Sequence, residues 1–157
     1  MDARMAAQEH VALARSLVEL YNSHQSDPAW LEKSVAAFAA DFEVIDVPSG
    51  ATLHGPEGYK RFLRFFVEAW PGSRAELTNV VATEDQVVLE GSIRGTTTGS
   101  RNLPTGALLA TGRSGELRLC QVMQIRKGKI VRVHTYYDMT TLREQLGLVP
   151  AWGQATE

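Results

Sequence analysis

The chain has 157 residues, with 16 Lys or Arg against 18 Asp or Glu, for a formal net charge of -2. That length predicts one domain, 1–157, large enough for a core with a small-molecule cavity inside it. Hydrophobic residues at 44% and charged residues at 22% match ordinary globular proteins, and without a basic excess no nucleic-acid partner is expected.

The only cysteine, Cys120, has no intramolecular partner, so secretion is not supported. No run approaches the roughly 18 apolar residues of a membrane span, and the first 25 residues hold no signal-like apolar stretch. A soluble, cytoplasmic protein with no membrane partner is the expectation.

In chain order, residues 5–22 read as a helix, with Val11, Ala14, Leu17, Val18 and Tyr21 at helical spacing. Asp27-Pro28 opens a second helix reaching about Ala39, with Trp30, Leu31, Val35 and Phe38 as its apolar stripe. The period then changes. Phe42 to Val47 is rich in β-formers, and after the turn Pro48-Ser49-Gly50 the residues 51–54 form a return strand. Gly55-Pro56 starts a third helix whose apolar face is Tyr59, Phe62, Leu63, Phe66, Ala69 and Trp70, with Lys60, Arg61 and Arg64 on its solvated side.

From Arg74 to Asp138 the chain reads as strands near 74–83, 86–98, 115–127 and 129–138. Strands this long predict a strongly curved sheet, with bulges at Gly91 and Gly95. A short helix, Thr140 to Gln145, follows, with Gly147 and Pro150 beyond it. The expected fold is α+β: a cone-shaped, curved antiparallel sheet packed with three helices from the first half and a short C-terminal helix. The mouth of such a cone is a natural ligand pocket.

Strict alternation puts Ile130, Arg132, His134, Tyr136 and Asp138 on one face of the last strand, and Val131, Val133, Thr135 and Tyr137 on the other. The first, polar set is taken to line the pocket. Asp46, Asn79, Gln121 and Arg132 are further polar residues on expected inward faces, though Asp46 reads first as a solvated strand end before Pro48 and Gln121, which shares a face with Met123, first as a satisfied core amide. Phe66 and Trp70 are core residues that also offer a flat wall to a ring-shaped ligand. Asp138 has a competing reading as the N-cap of the closing helix, and His134 as a hydrogen-bonded strand histidine. No P-loop, no Gly-x-Gly-x-x-Gly, no metal-ligand spacing and no Gly-x-Ser-x-Gly elbow appears.

Three stretches resemble the SnoaL-like polyketide cyclases, or ester cyclases, of the nuclear transport factor 2-like superfamily. They are Gly55-Pro56-Glu57-Gly58-Tyr59 with Trp70-Pro71-Gly72; Gly95-Thr96-Thr97-Thr98-Gly99 with Leu103-Pro104-Thr105-Gly106; and Gly128-Lys129-Ile130-Val131 leading to Asp138 and Gln145-Leu146-Gly147-Leu148. His134 stands where many relatives have Trp, and Thr97 where many have His. The resemblance implies a cystatin-like roll, a small hydrophobic or aromatic carbonyl ligand, a homodimer and no cofactor. It also implies an intramolecular aldol cyclisation, or an isomerisation, with Asp138 as acid/base. His134 and Tyr136 would then donate to the enolate oxygen, within a pocket formed with Gln121, Met123, Phe66, Trp70, Asp46 and Asn79. Two alternatives stand beside this: a non-catalytic binding protein, and a hydrolase of the limonene epoxide hydrolase kind using Asp46, Asp138 and Arg132.

Overall fold

A computed structural model describes residues 2–98, 101–103, 106–108 and 112–145. Helix α1 (Ala3–Asn22) is capped by Asp2, which accepts from the Arg4 amide at 3.1 Å. Its apolar side buries Ala14 and Tyr21, and His10 Nδ1 donates to the Thr83 carbonyl at 2.8 Å. Helix α2 (Trp30–Val35) is shorter than its periodicity predicts. Residues after Ala37 are drawn into strand β1 (Phe38–Asp46) because Phe38 pairs with Ile130, and tertiary pairing outweighs the helix propensity of the alanines there.

Strand β2 (Ala51–His54) returns antiparallel to β1, and helix α3 (Gly55–Ala69) starts at once with Pro56 in its first turn. Tyr59, Leu63, Phe66 and Ala69 make its buried face, as the spacing predicts. Lys60 departs from the solvated side expected for it. Its side chain is 8% exposed, and its ammonium bridges Glu32 on α2 and Glu57, the latter at 3.0 Å, tying the two helices together.

Four long strands follow: β3 (Arg74–Ala82), β4 (Gln86–Thr96), then, beyond the small hairpin of β5 (Arg101–Leu103) and β6 (Gly106–Leu108), β7 (Ser114–Arg126) and β8 (Lys129–Tyr137). Helix α4 (Met139–Gln145) ends the described chain; Gly147 and Pro150 lie outside the described residues, as do several residues of the 99–115 connection. The six-stranded sheet runs β2-β1-β8-β7-β4-β3. All its pairs are antiparallel except β1 with β8, which is parallel, so the α+β sheet is mixed at that one seam.

The helices cover one face of the sheet, over a core that includes Phe42, Val44, Trp70, Val87, Leu117, Met123, Ile130 and Val133. Trp70 is 1% exposed and donates its indole N–H to Thr97 at 3.0 Å, which explains a hydroxyl at that position. The indole rests on Gly95 and Gly115, which face each other across β4 and β7. Gly95 is therefore a seat for a ring and not the bulge expected there. At Gly91 the expected irregularity exists, but the extra residue is Thr78 on the facing strand: Leu77 pairs with Gly91 and Asn79 with Glu90.

A Cβ at Gly95 would stand 2.8 Å from the Trp70 Cβ, closer than such atoms approach. Gly95→Ala is expected to destabilise the protein by about 1–3 kcal/mol through overpacking, read as a lower denaturant midpoint with unchanged slope.

Candidate functional site

The site is set by the phase of β8. Gln124 pairs with Arg132 and Ile125 with Ile130, so Val131 is an extra residue inserted into β8. One inserted residue sends every following side chain to the opposite face. Ile130, Val133 and Thr135 are consequently buried under the helices with Tyr137 beside them, and Arg132, His134 and Tyr136 point to the helix-free face. This reverses the expected lining of the pocket by His134 and Tyr136; Tyr136 is 44% exposed. Thr78 has the same effect on β3, turning Asn79 outward to bond Glu90 at 3.2 Å.

Between α1, α3 and the sheet lies a cavity of about 80 Å³. Its wall is mostly apolar, from Leu17, Val18 and Tyr21 on α1, Tyr59, Phe62, Leu63 and Phe66 on α3, and Leu77, Leu89, Ile93 and Leu119 on the sheet. Gln121 and Thr135 supply converging polar groups: Gln121 Nε2 donates to Thr135 Oγ1 at 3.1 Å. Burial pushes the Tyr21 phenol up to about 12, partly countered by its 2.7 Å bond with Ser73, and burial raises Tyr59 as well. Both phenols therefore stay protonated.

One strand beyond Thr135, on the same face, Asp46 is 7% exposed. Its carboxylate is used unequally. Oδ2 accepts from the Tyr137 hydroxyl at 3.1 Å and from the Ser49 hydroxyl, while Oδ1 is buried with no hydrogen-bond partner. Burial, and then the neighbouring Asp46 charge and hydrogen bond, push the Tyr137 phenol well above its ordinary value, so it is held as a donor. Phe66 packs edge-on against Tyr137, ring centroids 6.3 Å apart, and also lines the cavity, so the Tyr137 ring adjoins a wall residue and its hydroxyl links on to Asp46.

Of the residues named from the sequence, Phe66 and Gln121 are in the cavity wall and Asp46 is buried beside it. Met123 and Trp70 are buried core outside the wall. Asp138 is exposed and caps α4, accepting from the Thr140 amide at 2.9 Å and the Thr141 hydroxyl at 2.7 Å. Arg132 pairs with Glu43 at 2.7 Å on the helix-free face, so the hydrolase trio of Asp46, Asp138 and Arg132 is not brought together. Thr135 and Tyr137 were legible only as the other face of β8; the bulge that turns them inward has no glycine to announce it. Among the described residues no group of three His, Cys, Asp or Glu could hold a metal ion, and no helix is long and apolar enough to cross a membrane.

A curved sheet roofed by helices over a small, mostly apolar cavity defines an α+β roll. The model of the SnoaL-like domain matches residues 14–133, and the chain belongs to that family. Among solved structures it is similar to a provisionally assigned SnoaL-like polyketide cyclase from Jannaschia sp. CCS1, at TM-score 0.79 and 16% identity over 96% of this chain and 99% of that one. It is also similar to AclR of Streptomyces galilaeus, provisionally a hydroxylase, at TM-score 0.74 and 19% identity over 92% and 85% of the two chains. IdmH of Streptomyces antibioticus, provisionally a polyketide cyclase, aligns at TM-score 0.68 and 24% identity over 87% and 97%. No protein of curated function matches the sequence.

The Thr141 hydroxyl bond, with the backbone bonds of the cap, holds the Asp138 carboxyl below its usual range. A lowered folded value means that the cap stabilises above the ordinary carboxylate pKa of about 3.9 and that this is lost as pH falls through the folded value. The melting-temperature gap between the native protein and Asp138→Ala is therefore expected to narrow on acidification below about pH 4. A gap unchanged down to pH 2 would contradict an ionised cap.

Proposed function

We propose that this protein is a cofactor-independent enzyme that moves a proton at the carbon next to a carbonyl group of a small hydrophobic compound, as in aldol cyclisation or isomerisation. The carrying observation is the divided carboxylate of Asp46, with Oδ2 fixed by Tyr137 and Ser49 and Oδ1 buried and unpartnered. A carboxylate held in this way presents one free oxygen in a fixed position, as a general base requires. Asp46 Oδ1 takes the carbon-bound proton, the electron pair moves onto the carbonyl oxygen, and the enolate attacks a second carbonyl or is reprotonated at another carbon. Asp46 returns the proton, so no net charge accumulates. The polyketide cyclase assignments of the Jannaschia and Streptomyces antibioticus proteins support the same reaction class.

An aromatic β-keto ester in heavy water, followed by NMR, tests this reading. The native protein is expected to accelerate exchange at the carbon between the carbonyls, and Asp46→Asn to lose about 10²–10⁴-fold of that acceleration. Asp138→Asn, which keeps a capping side chain, is the matched control for the base expected from the resemblance and is expected to remain near native. Loss in Asp138→Asn with full activity in Asp46→Asn would move the base to Asp138. Binding without accelerated exchange would make the protein a carrier on the same scaffold.

The cavity is small beside the 300–1,000 Å³ usual for ligand pockets, so a polycyclic substrate enters by displacing the Phe62 and Phe66 rings. Phe66→Ala is expected to cost about 3–5 kcal/mol of stability while tightening binding of a bicyclic aromatic ketone, measured by denaturation and by ligand titration.

A second copy of the chain is the proposed occupant of the helix-free face. Ile45, His134, Val122, Val88 and Val81 are neighbours in register across five strands, forming a largely apolar row there, and Val81 is 58% exposed. Sedimentation is expected to show a dimer that Val122→Glu dissociates; a monomeric native protein would overturn this.

A further inference from the structure

Thr135 is 1% exposed, lines the cavity, and is the register partner of Asp46 in the parallel β1–β8 pair. Paired residues project on the same face of a sheet, so the hydroxyl of Thr135 and the carboxylate of Asp46 stand side by side under the helices. The hydroxyl has one proton to donate and two lone pairs. Gln121 Nε2 occupies one lone pair at 3.1 Å, and among the described residues no acceptor takes the hydroxyl proton. Two features restrict the side chain's freedom further: a β-branched residue has few χ1 choices, and the bond from Gln121 selects among them. The result is an O–H donor fixed in a mostly apolar wall, which Glu76, Ser92 and Gln121 also line, with its proton uncommitted and the register partner Asp46 beside it.

We infer that Thr135 donates this hydrogen bond to the carbonyl oxygen of the substrate, where negative charge develops as the carbon-bound proton passes to Asp46, and that Gln121 is the residue that positions it. The inference rests on the proton-transfer reading above and assigns the donor that reading requires. As the C–H electron pair moves onto the carbonyl oxygen, the Thr135 O–H bond strengthens its contact with the forming enolate oxygen without giving up its proton. When Asp46 returns the proton to carbon, the carbonyl is restored and the hydrogen bond weakens again. The donor is neutral, so it stabilises the developing charge without placing an unpaired cation in the apolar wall. Gln121 touches no reacting atom. It acts by keeping the Thr135 proton turned away from its own amide.

The test uses the full-length protein and a β-keto ester labelled with ¹³C at the ketone carbon. Bound to the native protein, the ketone resonance is expected downfield of the free ester, and Thr135→Ser is expected to keep that shift and most of the exchange rate. Thr135→Val preserves the branched shape but has no hydroxyl; it is expected to lose the downfield shift and about 10²-fold in kcat with little change in KM. Gln121→Met is expected to lower kcat in the native background and to add nothing in the Thr135→Val background, the sign of one shared interaction. If Thr135→Val does not fold, Thr135→Ala carries the same expectations.

Equal shifts and rates in the native protein and Thr135→Val would overturn the inference and leave the Asp46 reading standing. A native downfield shift lost in Thr135→Val, without any exchange in the native protein, would keep Thr135 as the donor and overturn the proton transfer. No downfield shift on the native protein overturns the donor outright.

Discussion

One inserted residue governs what this protein can hold. Val131 lets β8 keep Ile130 in the core on one side of the insertion and present Val133, Thr135 and Tyr137 to the same core on the other. Without it the alternation would put Arg132 and His134 under the helices, where a charged group lacks partners and costs several kcal/mol. The insertion thus resolves a conflict between pairing and burial. The same residue determines which polar groups face the cavity and which face away from the helices.

Around that constraint the core places its polar atoms sparingly. The Trp70 indole, the Tyr21 phenol and the Thr135 hydroxyl are each buried with a partner, as close-packed interiors require. Asp46 Oδ1 is the departure among the described residues near the cavity. A buried acceptor left without a donor costs about 1–3 kcal/mol, and such local violations concentrate where chemistry or binding uses them. Its companion oxygen has two donors, so the loop that carries Ser49 and the strand that carries Tyr137 share the cost of holding the charge. That asymmetry within one side chain distinguishes Asp46 from the capping carboxylate of Asp138, whose two oxygens are both satisfied and both wet.

Much of the architecture was legible because hydrophobic period and turn chemistry agree over most of the chain. The helix opened by Gly55-Pro56, the hairpins at Glu84-Asp85 and Lys127-Gly128, and the long strands fall within a few residues of where periodicity puts them. The second helix was overread because alanines before a strand look helical until Phe38 finds Ile130. The site was legible only in part. Phe66 follows from the helical spacing of α3, Asp46 from its alternation with Phe42 and Val44, and Gln121 from its alternation with Leu117 and Met123. Asn79, His134 and Tyr136 were misplaced because Thr78 and Val131 shift the alternation, and a bulge at an ordinary residue leaves no mark in composition. Asp138 reads as a cap alone or as a pocket group with or without capping, and its hydrogen bonds show the cap, which both readings allow.

The side chain of Asn22, at the end of α1, donates to the Ala75 carbonyl at 2.8 Å and accepts from the Ala75 amide at 2.7 Å. Ala75 lies on β3, an outer strand of the sheet, and this amide occupies its outward-facing backbone pair as another strand would. Three residues further along, the insertion at Thr78 breaks the regular ladder, and the opposite outer strand, β2, is only four residues long. An open sheet margin is where chains add to one another and begin to form fibrils. A plug, a kink and a truncation thus leave little straight margin at either rim for templated growth.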